Sequence, residues 1–349
     1  MGQVFADAPN SRKRPLPVRF EMRNTELRVT LATMQKILVT GALGQIGSEL
    51  VPALRERHGS AAIVASGIRF RPVSSVTEGG TFEILDCTSV DDIGAIVQRH
   101  DVGTIYHMAA IMSAIGEEKP EEAWELNFGA FANVLKIARQ HQCAVFFPSS
   151  IGAFGPTTPS QNTPQDTLQR PTTIYGVAKV AGELLSDYYA ARFDLDTRGL
   201  RLPGLISSVT PPGGGTTDYA VDIFYHAVRE KKYTCCLRAD ARLDMMYMPD
   251  AINSITQLMA AEASRLKHRN AFNVTAMSFT PAEIAAEIQR HIPDFVMTYD
   301  VDPLRQAIAD SWPDSMDDSA ARAEWDWSPR YDLAAMTKDM LENVRTKLT

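Results

Sequence analysis

Three glycines, each separated by two residues, stand where an apolar run gives way to a helical pattern, and they limit what this chain can fold into. The segment reads Ile37-Leu-Val-Thr-Gly41-Ala-Leu-Gly44-Gln-Ile-Gly47. Such a run is a strand entering a helix. Each glycine has its own task. Gly41 permits the tight turn, Gly44 leaves no Cβ between backbone amides and a phosphate, and Gly47 lets the helix pack closely on the strand. The helix start then offers unbonded N–H groups and partial positive charge to an anion. The arrangement predicts a dinucleotide pyrophosphate site at the first strand–helix unit, with Leu43, Gln45 and Ile46 belonging to the same turn.

The rest of the chain agrees with that start. Strand-like runs at Ile37–Thr40, Ala62–Ser66, Thr81–Leu85, Thr104–His107, Ala144–Pro148 and Gly199–Leu202 alternate with helical patterns. The helical stretches are Ile46–His58, Asp91–His100, Glu121–Gln140 and Tyr175–Phe193. Alternation with short connections predicts an α/β fold, a Rossmann-type doubly wound parallel sheet covered on both faces. Its ligand site then lies beyond the carboxyl ends of the strands. After Leu202 the pattern is broken by Pro211, Pro212 and Gly213–Gly215. Helical stretches follow at Tyr219–Glu230, Asp250–Ala263 and Pro281–His291, with a strand-like Phe272–Thr275. The expected organisation is a leader over residues 1–35, a cofactor-binding domain over 36–203, and a smaller carboxy-terminal substrate lobe over 204–349. Some elements of that lobe should return to the main sheet.

Composition narrows the function. The formal net charge of −7 argues against nucleic acid as a partner. Cys87, Cys143, Cys235 and Cys236 form no C-x-x-C pair, and the seven histidines form no H-x-x-x-H pair. No metal site and no disulfide framework is expected from that pattern. No apolar stretch approaches the ~20 residues that span a bilayer, so no membrane partner is expected. The leader carries Arg12, Lys13, Arg14, Arg19, Arg23 and Arg28 but also Asp7, Glu21 and Glu26. It reads either as a mitochondrial targeting segment or as a tail of a cytoplasmic protein, with Met34 a second candidate start.

Tyr175-Gly-Val-Ala-Lys179 opens a helical stretch, and a spacing of four puts both side chains on one face. An ammonium beside a phenol stabilises phenolate and so makes a better base. Ser150, at the end of the fifth strand-like run, is the candidate hydroxyl partner. At the other end of the cofactor site, the second strand should close on an acid that holds the ribose hydroxyls. Gly67 stands there instead, with Arg69 and Arg71 close by to pair with a 2′-phosphate. Asp86, with Cys87, is placed to meet the adenine.

The glycine spacing and the Ser150…Tyr175-x-x-x-Lys179 set resemble the extended short-chain dehydrogenase superfamily. Several segments resemble, more narrowly, its NAD-dependent L-threonine 3-dehydrogenases. They are Met108-Ala-Ala-Ile-Met-Ser113-Ala, Ser150-Ile-Gly-Ala-Phe-Gly-Pro156, Pro211-Pro-Gly-Gly-Gly-Thr-Thr-Asp-Tyr-Ala220 and Ser311-Trp312-Pro-Asp-Ser315. The resemblance runs from about Lys36 to the end. It implies NAD as cofactor, with Met108, Ala109, Ala110, Asn127 and Leu205 joining its site and Asn127 supporting the active-site lysine. It implies L-threonine as substrate, held by Ser113, Ser150, Tyr175, Gly215, Thr216, Thr217 and Trp312. It implies Tyr175 as base, Ser150 as its hydrogen-bonding relay and Lys179 as the cation beside it. It implies a homodimer through Glu121–Gln140 and Tyr175–Phe193. Ser160 departs from the pattern, where a basic residue is expected.

Two other readings share these motifs. A nucleotide-sugar epimerase or dehydratase needs a larger lobe pocket with basic residues for the diphosphate; Gly-Gly-Gly-Thr-Thr favours a small ligand. A non-catalytic NAD(P)-sensing protein has no use for Ser150, Tyr175 and Lys179 together.

Overall fold

In the computed structural model, residues 35–211, 213 and 215–349 are described. The leader, up to Met34, lies outside them, as do Pro212 and Gly214 of the glycine-rich run. The first strand, β1 (Lys36–Thr40), is followed by β2 (Ile63–Gly67), β3 (Thr81–Ile84), β4 (Val102–His107), β5 (Ala144–Ser150) and β6 (Thr197–Leu202). The carboxy-terminal half adds β7 (Gly204–Ile206), β8 (Lys232–Cys235), β9 (Leu243–Tyr247), β10 (Phe272–Asn273), β11 (Met277–Phe279) and β12 (Val296–Tyr299). Seven strands form one parallel sheet in the order β10-β6-β5-β4-β1-β2-β3. Consecutive strands run outward in both directions from the β1–β4 junction. That junction is where a doubly wound sheet opens a crevice.

Both faces of the sheet are covered, which is why its strands are mostly apolar. Leu38, Val64, Ile105 and Val145 pack on one face with Phe131 and Val134. Val39, Ala65, Tyr106 and Phe146 pack on the other with Leu50, Leu54 and Leu258. The expected β10 run from the carboxy-terminal half does pair with β6. Two small sheets, β11-β9-β7 and β12-β8, carry the rest of that half. A separate core built on Tyr219, Phe224, Tyr247, Phe279 and Trp312 fills it.

Most boundaries fall within three residues of expectation, and two of the differences shape the site. The run expected to end at Pro148 continues to Ser150. A proline is tolerated there because β5 has already left β4: its pairing with β4 stops at Phe146, whereas pairing with β6 runs to Ser150. The helix expected over Glu121–Gln140 is interrupted. Pro120–Trp124 and Ala130–His141 are α-helical, and Glu125–Gly129 between them is a π-turn. Such a turn re-aims the residues within it, and Asn127 is one of them.

Candidate active site

The helix Ile174–Phe193 begins beside the end of β5. Thr173 Oγ1 accepts the Gly176 amide at 3.1 Å and caps it. Gly182 lets the helix come close: a Cβ there would stand 2.5 Å from the Phe147 ring. One face of this helix therefore presents Tyr175 and Lys179 to β5. The Tyr175 phenol faces the Ser150 hydroxyl, and Ser150 Oγ accepts the Gly152 amide at 3.1 Å. The Lys179 ammonium donates to the Pro148 carbonyl at 2.6 Å and lies 5.3 Å from the centre of the Tyr175 ring.

All three residues line a cleft of about 290 Å³ at the carboxyl ends of the strands. Gly41, Gly44, Gln45, Ile46, Gly47, Met108, Ala110 and Leu205 form one end of it; Ser113, Gly215, Thr216, Thr217 and Trp312 form the other. Ser113 and Thr216 hydroxyls are 3.4 Å apart, joining the short helix after β4 to the glycine-rich loop. Gly215 N donates to Asp218 at 2.7 Å, which shapes that loop. A second cavity of about 270 Å³ continues from the first, sharing Gly41, Gly44, Met108 and Ala110. Leu43, Gly67, Arg69, Arg71, Asp86, Cys87 and Ala109 line it.

The glycine turn fits a pyrophosphate. A Cβ at Gly41 would stand 2.6 Å from Ala109 N, and one at Gly47 2.5 Å from the Gly41 carbonyl, so neither position admits a side chain. A Cβ at Gly44 would meet only the Gly41 carbonyl, at 3.2 Å, and would otherwise project into open space. Beyond the turn, Asp86 is occupied in its own loop, accepting Thr88 N at 2.9 Å and Thr88 Oγ1 at 2.7 Å. Among the described residues no cluster of His, Cys, Asp and Glu is suited to hold a metal ion, and no helix is long and apolar enough to cross a membrane.

Electrostatics at the cleft are set by burial. Lys179 is wholly enclosed, which lowers its pKa to about 8, with the Glu183 carboxylate opposing the shift. Burial raises the Tyr175 phenol above its ordinary value, with the Ser150 hydrogen bond opposing. His107 behind them is lowered to about 3, by burial first and Lys179 second, and is neutral.

The model of the NAD dependent epimerase/dehydratase family matches residues 37–275. The chain belongs to that family. It is 52% identical over 314 residues to an uncharacterised epimerase/dehydratase of Staphylococcus haemolyticus, which covers 90% of this chain and 99% of the relative. Among solved structures it is similar to L-threonine dehydrogenase from Clostridium difficile, with 57% identity, a TM-score of 0.88, and coverage of 90% of this chain and 98% of that one. It is similar also to the holo form of a GalE-like L-threonine dehydrogenase from Cupriavidus necator, with 50% identity, a TM-score of 0.86, and coverage of 88% and 99%.

Against this epimerase/dehydratase frame, one residue named from the sequence falls elsewhere. Asn127 lines neither cavity and is not bonded to Lys179. Its carboxamide accepts the Ile111 amide at 2.7 Å and donates to the Ile111 carbonyl at 2.9 Å. The π-turn rotates it toward the segment after β4, so it holds the backbone that leads into Ser113. The two cavities also include residues the sequence did not single out: Met112, Ile151, Leu202, Pro203 and Asp218 in the cleft, and Ile68 and Leu126 beyond it. Ile68, Ile151, Leu202 and Pro203 stand at or one place beyond a strand end, which is their only sequence signal; Met112 and Asp218 lie in the loops beside Ser113 and Thr217, and Leu126 lies in the π-turn.

Proposed function

We propose that this chain is an L-threonine 3-dehydrogenase that uses NAD, taking L-threonine to L-2-amino-3-oxobutanoate. The observation that carries the reading is the single cleft in which Ser150, Tyr175 and Lys179 face Ser113, Thr216, Thr217 and Trp312 beside the glycine turn. The likeness to L-threonine dehydrogenases at 50–57% identity supports the substrate.

When bound, NAD supplies the acceptor for the hydrogen on the substrate carbinol carbon. The backbone of Gly41–Gly47 holds the pyrophosphate, and Arg69, Asp86 and Cys87 surround the adenosine end. Tyr175 removes the hydroxyl proton of the substrate, and Ser150 hydrogen-bonds the same oxygen. Lys179 supplies the positive charge that favours the Tyr175 phenolate. The Thr216 and Thr217 hydroxyls receive the substrate carboxylate, and Gly215, its amide held by Asp218, lines the wall beside them. Trp312 closes the far wall and excludes water. The substrate end of the cleft, lined by Ser113, Thr216, Thr217 and Trp312 and by no arginine among the described residues, suits an amino acid better than a nucleotide sugar, which would need cations for its diphosphate.

The same reading includes a homodimer. Val177, Leu184 and Tyr188 are exposed along the helix Ile174–Phe193, and Trp124 is exposed on the neighbouring one. An apolar stripe of this kind suits a second copy packed about a two-fold axis. Light scattering at a dimer mass for wild type, and at a monomer mass for Leu184→Glu, supports it; a monomeric wild type overturns it. The reading includes a mitochondrial address in the leader, residues 1–35: fused ahead of a fluorescent protein they direct it to mitochondria, and diffuse fluorescence overturns that address.

The test of the reaction is direct. The purified chain is mixed with NAD and L-threonine, and NADH absorbance is followed beside L-serine, L-allo-threonine and NADP controls. NADH formation that requires L-threonine is the expected result. Tight NAD binding without reduction by any amino acid would return the argument to a nucleotide-sugar substrate.

A further inference from the structure

Three successive residues at the end of β5 are tied to three residues of one helix. The Pro148 carbonyl accepts Lys179, the Ser149 hydroxyl donates to Glu183, and the Ser150 hydroxyl faces the Tyr175 phenol. Tyr175, Lys179 and Glu183 are spaced four apart and share a helix face. Two of these pairs hold the reacting groups. The middle one, Ser149 with Glu183, holds no reacting group, although Ser149 lines the cleft, yet it is the most elaborated.

Glu183 is buried, and its carboxylate is fully engaged. Beyond Ser149 it accepts Arg201 Nε at 3.1 and 3.2 Å, Arg201 Nη2 at 2.9 Å and Gln169 Nε2 at 2.8 Å. Arg201 is itself buried on β6, directly beside Ser149 in the sheet register. Its remaining nitrogen donates to the Gln165 carbonyl at 2.7 Å and to Asn273 Oδ1 at 3.2 Å on β10. A fork of this kind is directional as well as strong. A buried ion pair is seldom retained for stability alone, since apolar packing does as well. This one stands where β5 has lost β4 as a neighbour and needs another restraint.

We propose that Glu183, anchored by Arg201, is the positioning residue of this active site: through Ser149 it fixes the end of β5 against the catalytic helix, so that Ser150 and the Pro148 carbonyl meet Tyr175 and Lys179. The proposal rests on the reading of Ser150, Tyr175 and Lys179 as the reacting set. It deepens that reading by assigning the network that holds them in register.

Charge adds a second consequence. Lys179 faces Tyr175 and Glu183 from its own helix and neutral His107 at the end of β4. Arg201 on β6 and Asp187 further along the helix also act on Glu183. Of these, Glu183 is the group that favours the Lys179 ammonium. With glutamine in its place, Lys179 loses its proton at lower pH, and the alkaline fall of kcat/KM moves down with it.

The experiment compares wild type with Glu183→Gln, Glu183→Asp, Ser149→Ala and the paired Glu183→Gln/Arg201→Met, which removes both members of the buried ion pair. All are full-length and checked by thermal melting. Two readouts are taken: amide hydrogen exchange over residues 146–152, and kcat/KM for L-threonine against pH, with NAD affinity measured separately. Exchange there rises about tenfold or more in Ser149→Ala and in the Glu183→Gln proteins. Turnover falls about tenfold or more while NAD affinity stays within about twofold, and Glu183→Asp recovers part of the loss. The alkaline limb moves down in the Glu183→Gln proteins but not in Ser149→Ala. Unchanged exchange at 146–152 in the folded variants overturns the proposal whatever their activity. Increased exchange in a chain whose wild type oxidises no threonine overturns the reaction and leaves the bracing role standing.

Discussion

Thr40 at the end of β1 and His107 at the end of β4 are direct neighbours across the strand junction, and Thr40 Oγ1 and His107 Nδ1 share a fully buried hydrogen bond of 2.9 Å. His107 Nε2 has no partner, and its ring stacks on Phe131 at 5.6 Å. Enclosure holds the folded imidazole neutral down to about pH 3, against 6.5 for a free one. Between those values the unfolded chain binds one more proton, so the contribution to stability is complete above pH 6.5 and lost as pH falls through the window. His107→Gln keeps a polar partner for Thr40 without the titration. Urea unfolding from pH 7 to 4 should show wild type losing stability faster than the variant, by up to ~1.4 kcal/mol per pH unit. A constant difference between the two across that range would mean that His107 is hydrated or paired in solution.

Tyr175→Phe removes one oxygen from a residue whose ring is otherwise packed against Gly152, where a Cβ would lie 3.2 Å from it. The ring should stay in place. Turnover of L-threonine falls by ~10²-fold or more, the usual worth of an acid–base group, while NAD affinity changes little. Retained turnover would assign the proton transfer to another group.

The sheet was legible because buried parallel strands are mostly apolar, and the crevice because strand–helix alternation puts it beyond the carboxyl ends of the strands. Ser150, Tyr175 and Lys179 were legible from spacing on a helix and at a strand end. Asn127 was not, because a π-turn leaves no mark in a hydrophobic pattern and changes the direction of every side chain within it. The continuation of β5 past Pro148 was hidden by the rule that proline ends a central strand. The rule holds, but β5 is unpaired with β4 by then. Glu183 and Arg201 were not singled out, because nothing in one dimension shows that β6 and the catalytic helix bring them together.

The glycines at the cofactor turn are not equivalent, and substitution should separate them. Alanine at Gly47 places a methyl 2.5 Å from the Gly41 carbonyl and 2.7 Å from Ala42 Cα, both backbone. The helix must move, at a cost of about 1–3 kcal/mol in stability. Alanine at Gly44 meets nothing closer than 3.2 Å and leaves the fold intact, but its methyl occupies the space a phosphate needs. Thermal melts without ligand and NAD titrations of both proteins check this. Gly47→Ala should melt lower than wild type, and Gly44→Ala should melt like wild type yet bind NAD at least about tenfold more weakly. Equal affinities in Gly44→Ala and wild type would place the pyrophosphate away from the turn.

Gly67 ends β2 where an acid would hold the ribose hydroxyls and repel a 2′-phosphate. Arg69 and Arg71 line the cavity beside it. The wild-type chain therefore lacks the main charge that excludes NADP, and its preference for NAD should be modest. A side chain fits at this position: a Cβ would touch only Leu43 Cδ1 at 3.5 Å, Phe82 Cζ at 3.6 Å and the Arg69 carbonyl at 3.7 Å, all ordinary contacts. Gly67→Asp supplies two acceptors for the ribose hydroxyls and sets a negative charge against the extra phosphate. The ratio of kcat/KM for NAD to that for NADP should rise by about tenfold or more, mostly through KM, since nothing at the reacting end changes. Arg69→Gln should lower NADP use alone, because the neutral ribose of NAD offers no phosphate to pair with. The two effects separate the missing acid from the added cation. If Gly67→Asp leaves the ratio unchanged while Arg69→Gln shifts it, discrimination lies in the loop after β2. If neither moves it, the adenosine ribose is held by groups outside this cavity.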